Sequence, residues 1–324
     1  MRRMNDPQPE KECAVAEPSE FRRPCLVAVW PGMGNVALNA GVYLLAKLQM
    51  KEVAEFEAGD LFDIDGVEVK HGILRLGRRP RHRVYLRKDP HQKHDLLLFL
   101  GEAQPPLGKY HFCQRLIEYA KQVGVERVFT FAAMGTQMHP EHQSRVFVSA
   151  TEPVVLDELK SQGVDVLESG TIGGLNGILL GVAEEAGLGG ACLLGEMPHI
   201  FSQLPFPKAS LAILQVFARM LEIELDLSEL AEQAEIMEQH LGELLARVEE
   251  EYGRPFAGED QEDYRPGAVE EEEKLSARDK THIEQLFAEA TQDSSKAFEL
   301  KRELDRLGVF REYEDRFLDL FKKS

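Results

Sequence analysis

Apolar residues between Cys25 and about Leu221 fall into two kinds of run. Short strand-length blocks alternate with longer stretches whose apolar positions recur every three or four residues. Leu26-Val-Ala-Val-Trp30, Leu96–Leu100, Arg127–Phe131, Arg145–Val148, Val164–Leu167 and Ala191–Leu194 are the strand-sized blocks. Val36–Leu48, Tyr110–Val123, Val154–Gln162, Leu175–Ala186 and Pro207–Leu221 carry helical spacing, and Gly124 suits the end of the second. Two more β-flavoured pieces lie around Glu52–Phe56 and Val67–Leu76, divided by Gly59 and the turn dipeptide Asp65-Gly66. This alternation predicts an α/β domain with a parallel or mixed central sheet and helices on both faces.

Beyond it the pattern changes. Leu227, Leu230, Ala234, Met237, Leu241, Leu244, Leu245 and Val248 recur at helical spacing among many glutamates. They predict a long amphipathic helix that packs on the domain or on a partner subunit. Residues 253–268 are rich in Pro, Gly and acids and read as a mobile linker. Glu270–Glu273 suits a helix start, where negative charge meets the helix dipole. Ile283, Leu286, Phe287 and Ala290 form the apolar stripe of that helix. Asp293-Ser-Ser295 can cap a further helix ending near Gly308, and Phe310, Tyr313, Phe317, Leu320 and Phe321 line a last one. The expected organisation is a disordered lead (1–23), an α/β domain (24–252), an acidic linker (253–268) and a helical appendage (269–324).

Composition removes several function classes. The net charge of −18 argues against nucleic-acid binding, which needs positive potential. No apolar run reaches membrane-spanning length and no signal-peptide pattern opens the chain, so the expected location is cytoplasmic. The scattered Cys13, Cys25, Cys113 and Cys192 form no CxxC pair and read as ordinary thiols in a reducing compartment. One stretch reverses the charge. Between Lys70 and His94 lie Arg75, Arg78, Arg79, Arg81, Arg83, Arg87, Lys88 and Lys93, whereas Glu222–Glu251 is strongly acidic. The basic stretch is expected on an exposed hairpin, either simply solvated or facing an acidic segment such as the acidic helix of another copy.

Candidate chemistry gathers at the glycine-rich turns. Trp30-Pro-Gly-Met-Gly-Asn-Val36 joins a strand to a helix, where backbone N–H groups can hold an anion; a tight turn that needs Gly is the plainer account. It is neither a dinucleotide fingerprint nor a Walker loop. Ser169-Gly-Thr-Ile-Gly-Gly-Leu-Asn-Gly177 is a second such loop, whose Thr171 and Asn176 could orient a ligand or whose small residues could simply allow close packing. Both are expected at strand carboxyl ends, where open α/β sheets place ligands. Glu102 and Glu196 each follow a Gly at a strand end, suited to acid/base work or, as we favour, to capping the next element. The candidate ligand cleft therefore comprises Gly32, Gly34, Asn35, Glu102, Gly135, Thr171, Gly173, Gly174, Asn176, Glu196 and His199. His139-Pro-Glu-His142 lacks a third clustered ligand and reads as a loop. No nucleophile elbow is present, and no catalytic residue, metal or cofactor is expected.

In order along the chain, Gly32-Met-Gly-Asn-Val36, Gly101-Glu-Ala-Gln-Pro105, Gly170–Gly181, Gly195-Glu-Met-Pro-His199, Pro205-Phe-Pro-Lys-Ala-Ser210 and Leu221–Leu227 resemble the proteasome-assembly-chaperone superfamily, especially its bacterial and archaeal members. The resemblance spans about residues 24–252. It implies a fold like that of purine nucleoside phosphorylases, homo-oligomeric assembly and a role in protein assembly, with a protein client. Phosphorylases of that fold bind nucleosides and phosphate, so a small-molecule binder or enzyme using Gly32, Gly34, Asn35, Gly173, Gly174 and Asn176 is the rival reading. Archaeal members of the superfamily dock proteasomes through a C-terminal hydrophobic-tyrosine-any-residue tail, which Phe321-Lys-Lys-Ser324 does not match.

Overall fold

The apolar run after Pro24 becomes the first strand, β1 (Cys25–Val29), of a computed structural model that describes residues 21–64, 66–91, 93–252 and 277–292, with isolated positions beyond 292. Residues 1–20 of the expected lead, the linker 253–268, the Glu270–Glu273 helix start and the Asp293–Ser295 cap lie outside the described residues, as do Cys13, Phe310, Leu320 and Phe321. The last three residues of the lead belong to the domain instead: Phe21 is buried, Arg22 N–H donates to Asp95 and Arg23 pairs with Glu126. The chain divides into two compact units, Met1–Pro266 and Gly267–Ser324.

In the first unit β1 is followed by α1 (Val36–Lys47), β2 (Lys51–Glu55), β3 (Val67–Lys70), β4 (Ile73–Leu76), β5 (His82–Arg87) and β6 (Leu96–Gly101). Then come α2 (Lys109–Gln122), β7 (Arg127–Thr136), β8 (Val146–Ala150), α3 (Pro153–Lys160), β9 (Asp165–Val166), α4 (Gly174–Glu185), β10 (Gly189–Pro198), α5 (Pro207–Met220) and α6 (Ser228–Tyr252). An eight-stranded sheet runs in the order β2-β5-β6-β1-β7-β10-β8-β9. Its centre, β6-β1-β7-β10, is parallel. β5 and β2 continue it antiparallel on one side, and β8, with β9 parallel to it, runs antiparallel to β10 on the other.

Both faces of the central strands are apolar, which is why these strands read as unbroken hydrophobic runs. Cys25, Val27 and Val29 face a core built with α1, α3, α5 and α6; Leu26, Ala28 and Trp30 face a second core built with α2 and α4. The amphipathic segment after Leu227 is α6, which sends Leu230 and Leu241 into the first core. Free thiols of Cys25, Cys113 and Cys192 are buried, and burial pushes them up to about 11, 12 and 12. That removes the thiolate that reactive cysteines need. In the second unit α7 (Ala277–Gln292) buries Ile283, Leu286, Phe287 and Ala290 against Leu300 and Leu304, and Arg316 pairs with Glu284.

One expectation needs correction here. The basic stretch is not one exposed hairpin. Only Val67–Leu76 is, and within it β3 and β4 turn at His71-Gly72, both with positive φ, the two-residue hairpin geometry. His82–Arg87 is β5 of the main sheet, with His82 and Val84 buried. Most bases of the stretch are neutralised within the chain: Arg78 by Glu102, Arg81 by Glu55, Arg83 by Glu52, Arg87 by Asp89 and Lys93 by Glu222.

Candidate functional site

Strands β6, β1, β7 and β10 end side by side, so the chain segments that follow them meet at one end of the sheet. Gly32 is exposed and extended, while Met33–Asn35 form one tight turn into α1. Gly34 has φ 60°, and a Cβ there would sit 2.6 Å from Met197 Sδ on β10. The left-handed φ favours glycine here, whereas the flexible end of Met197 could move aside. Asn35 follows, also left-handed, at φ 50°. Within this turn Gly34 N–H donates to Ser202 O (2.8 Å), Asn35 N–H to Gly32 O (3.0 Å) and Val36 N–H to Met33 O, so these three are not open to an anion.

The second glycine-rich loop reaches the same place by another route. β9 runs opposite to the central strands, so its own carboxyl end is not the end where Gly34 lies, contrary to expectation. The start of α4 is what returns there. Gln104, in the segment after β6, donates to Pro31 O (3.4 Å) and accepts from Leu175 N–H (3.2 Å), clasping the β1 exit to the first turn of α4. A Cβ on Gly174 would meet Gln104 Oε1 at 2.9 Å. Thr171 and Gly173 are exposed ahead of it. Asn176 is held by its carbonyl, which accepts from Thr130 Oγ1 at 3.2 Å, and its buried Oδ1 accepts no hydrogen bond among the described residues.

Glu196 lies inside β10 and is buried. Its Oε1 accepts from Thr136 Oγ1 (2.9 Å) and Arg145 Nη2 (2.8 Å), its Oε2 from Arg145 Nε (2.8 Å) and backbone N (3.3 Å). Burial alone would raise its pKa, but Arg145 and Thr136 outweigh it and hold the carboxyl below its usual range. Glu102 accepts from the Arg78 guanidinium and from Arg81 N–H, and Arg78 likewise holds it low. Neither carboxylate caps the next element, contrary to the expectation. Each closes an ion pair instead, because an arginine reaches it before any helix N-terminus does. β1 and β7 separate the strands that carry them, so they do not form an acid/base pair.

Gly135 and His199 do meet. A Cβ on Gly135 would touch His199 Cδ2 and Met33 Sδ, each at 3.2 Å. Around them Met33, Ile200 and Leu204 stand about two-fifths exposed, an apolar rim at the strand ends. A cavity of about 600 Å³ opens nearby, but its walls are Phe62, Ile64, Val67, Arg78, Ala103 and Gln104, none of them an expected cleft residue. His139 and His142 sit in a loop with rings 5.6 Å apart, and no group of three or more metal-ligating side chains occurs among the described residues. Sequence reasoning missed Gln104, Thr136, Arg145 and Met33. Gln104 stood in a quoted motif, but nothing local marks Arg145 as the partner of a carboxylate fifty-one residues away.

Fold and site together describe an α/β protein with one mixed sheet between two helical layers and glycine-rich turns closing its parallel strands. The chain matches the PAC2 family over residues 26–245 and belongs to it. It is 30% identical over 230 residues to an uncharacterized protein of Methanocaldococcus jannaschii, MJ1210, covering 68% of this chain and 82% of that one. Among solved structures it is similar to Pyrococcus furiosus PbaA, an archaeal homolog of proteasome-assembly chaperone (25% identity, TM-score 0.56, 72% of this chain and 92% of that one). It shares the fold of P. furiosus PbaB, an archaeal proteasome activator (24% identity, TM-score 0.60, 69% and 94%).

Proposed function

We propose that this chain is a non-catalytic, homo-oligomeric protein of the cytoplasm that works by binding other protein surfaces, in the manner of proteasome assembly chaperones, with no cofactor, nucleic acid or membrane as partner. The observation that carries the reading is the state of the strand ends. Both carboxylates there are tied into arginine pairs, and the Gly34 and Asn35 N–H groups are spent on the chain's own carbonyls. What remains open is an apolar rim of Met33, Ile200 and Leu204, better suited to a protein surface than to a polar metabolite. Phosphorolysis needs donors free to clamp phosphate, and family membership adds weight on the protein-binding side. Among the described residues no helix is long and apolar enough to cross a membrane.

The rival small-molecule reading draws on one observation, the unpartnered Asn176 Oδ1. A thermal-shift series with phosphate, nucleosides and nucleotides separates the two. A ligand specific for the folded chain adds about 2.7 kcal/mol at a hundred times its dissociation constant. We expect no such shift and no turnover, together with a light-scattering mass at least twice the 36.5 kDa chain. Phosphate-dependent cleavage of a nucleoside, lost on Asn176→Ala, would overturn the proposal.

A further inference from the structure

The β3–β4 arm is an amphipathic ribbon whose apolar side is uncovered. Cross-strand partners share a face, and the pairs Val67–Leu76 and Val69–Leu74 put four apolar side chains on one side. They are 55%, 72%, 62% and 66% exposed. The other side carries Glu68, Lys70, Ile73 and Arg75. Among the described residues β3 and β4 pair only with each other, and the 600 Å³ cavity stands between the base of the arm and the Ala103–Gln104 segment. A two-stranded ribbon is marginal in water without a third element against it. A contiguous exposed apolar face of this kind marks a contact surface.

The complementary surface is on the chain itself. The outer stripe of α6 presents Glu232, Glu235, Gln239 and Glu243 around Ile236, which is 61% exposed. Glu232 and Glu235 form no ion pair among the described residues, and neither do His71 and Arg75 on the arm. Since the arm's apolar face remains exposed within one chain, its own α6 does not cover it. We infer that the arm of one copy docks on the outer face of α6 of a second copy, Val69 and Leu74 against Ile236. The ribbon is two strands wide, roughly 5 Å from strand to strand, so Arg75 can lean past its edge towards the glutamates, while Lys70 already pairs with Glu68. The contact joins two different surfaces, so it is either exchanged reciprocally across a two-fold axis or repeated head to tail around a ring.

The inference rests on the homo-oligomer reading above, and light scattering of the full chain separates the two. The double variant Val69→Asp/Leu74→Asp alters only exposed positions and is expected to keep its melting temperature while its mass falls to 36.5 kDa. Arg75→Glu is expected to weaken association about tenfold, Glu235→Arg similarly, and the two together to recover most of the loss. A monomeric wild type overturns both the inference and the homo-oligomer reading. An oligomeric wild type whose mass survives Val69→Asp/Leu74→Asp overturns the arm alone. Loss with the arm variant but no change with Ile236→Lys and Glu235→Arg also overturns it, because the arm then seats elsewhere.

Discussion

β10 and the β3–β4 arm are both strand-length, apolar-rich sequence, and they end in opposite surroundings. Every residue of β10 is buried, while every residue of the arm is exposed. The difference lies in the second face. Gly189–Pro198 is apolar on both sides apart from the arginine-paired Glu196, and takes a neighbour on each edge and a helix layer above and below. The arm alternates apolar and charged residues and lacks a neighbour for its apolar side among the described residues. One stretch of β-structure holds the fold together; the other offers its surface for recognition.

The largest expected effect is in β10. A Cβ at Gly190 would lie 2.1 Å from the Val128 carbonyl oxygen, which is backbone and cannot swing away. Gly190→Ala should cost more than about 4 kcal/mol by urea denaturation. Val69→Ala in the arm should change single-chain stability by less than about 0.5 kcal/mol. Equal costs at the two sites would mean that the arm is packed, not exposed.

A second test sits where β5 enters the sheet. His82 is packed among Phe62, Phe99 and Phe112, and both its ring nitrogens lack partners among the described residues. Burial pushes its pKa from 6.5 down to about 4, although Glu102 and Glu55 pull it up. Above pH 6.5 neither state is protonated. As pH falls from 6.5 to 4 the unfolded chain takes a proton that the folded chain refuses, so stability drops by about 3 kcal/mol over that window. His82→Phe should flatten this part of the stability profile. An unchanged slope would mean that another group sets it.

His82 also shows where reading the chain as a sequence stops working. The central strands were legible because they are unbroken apolar runs, and the helices because their stripes recur at helical spacing. His-Arg-Val-Tyr-Leu-Arg hid β5 behind its charges, although His82 and Val84 sit two apart on a buried face. The turn at His71-Gly72 lacks the Asn or Asp that usually marks a two-residue hairpin. At the strand ends, glycines and carboxylates stood out as residue types, but what each touches is set by pairings across the sheet. Gly34 against Met197 and Glu196 against Arg145 leave no local trace.

Of the two strand-end pairs, the buried one should matter more. Arg145→Ala leaves the Glu196 carboxylate in the core with only Thr136 and a backbone N–H, and should cost about 2 kcal/mol. That is below the full value for a buried pair, since the Arg145 side chain is 60% exposed. The sign of its pH dependence follows from the depressed pKa of Glu196. The pair's contribution is complete above the unfolded carboxylate value and is lost as pH falls through the folded one. In the variant, burial is no longer outweighed, so destabilisation by acid should begin at higher pH. A variant that melts like the wild type at every pH from 4 to 7, about three units of scan, would remove Glu196 from the framework.

The smallest effect is expected at Glu102. Arg78 is 66% exposed and the Glu102 side chain 27%, so water and salt screen their attraction. Glu102 also keeps the Arg81 backbone N–H when Arg78 is gone, so no charge is left unsolvated. Arg78→Ala should therefore cost less than about 0.5 kcal/mol, and that cost should shrink further in high salt. The same variant probes the cavity, because Arg78 lines it. If the cavity were a metabolite site with Glu102 as its working carboxylate, freeing that carboxylate would change ligand binding far more than stability. An unchanged thermal-shift profile towards nucleosides and phosphate, beside a stability change near zero, is the outcome expected of a surface ion pair at the foot of a docking arm.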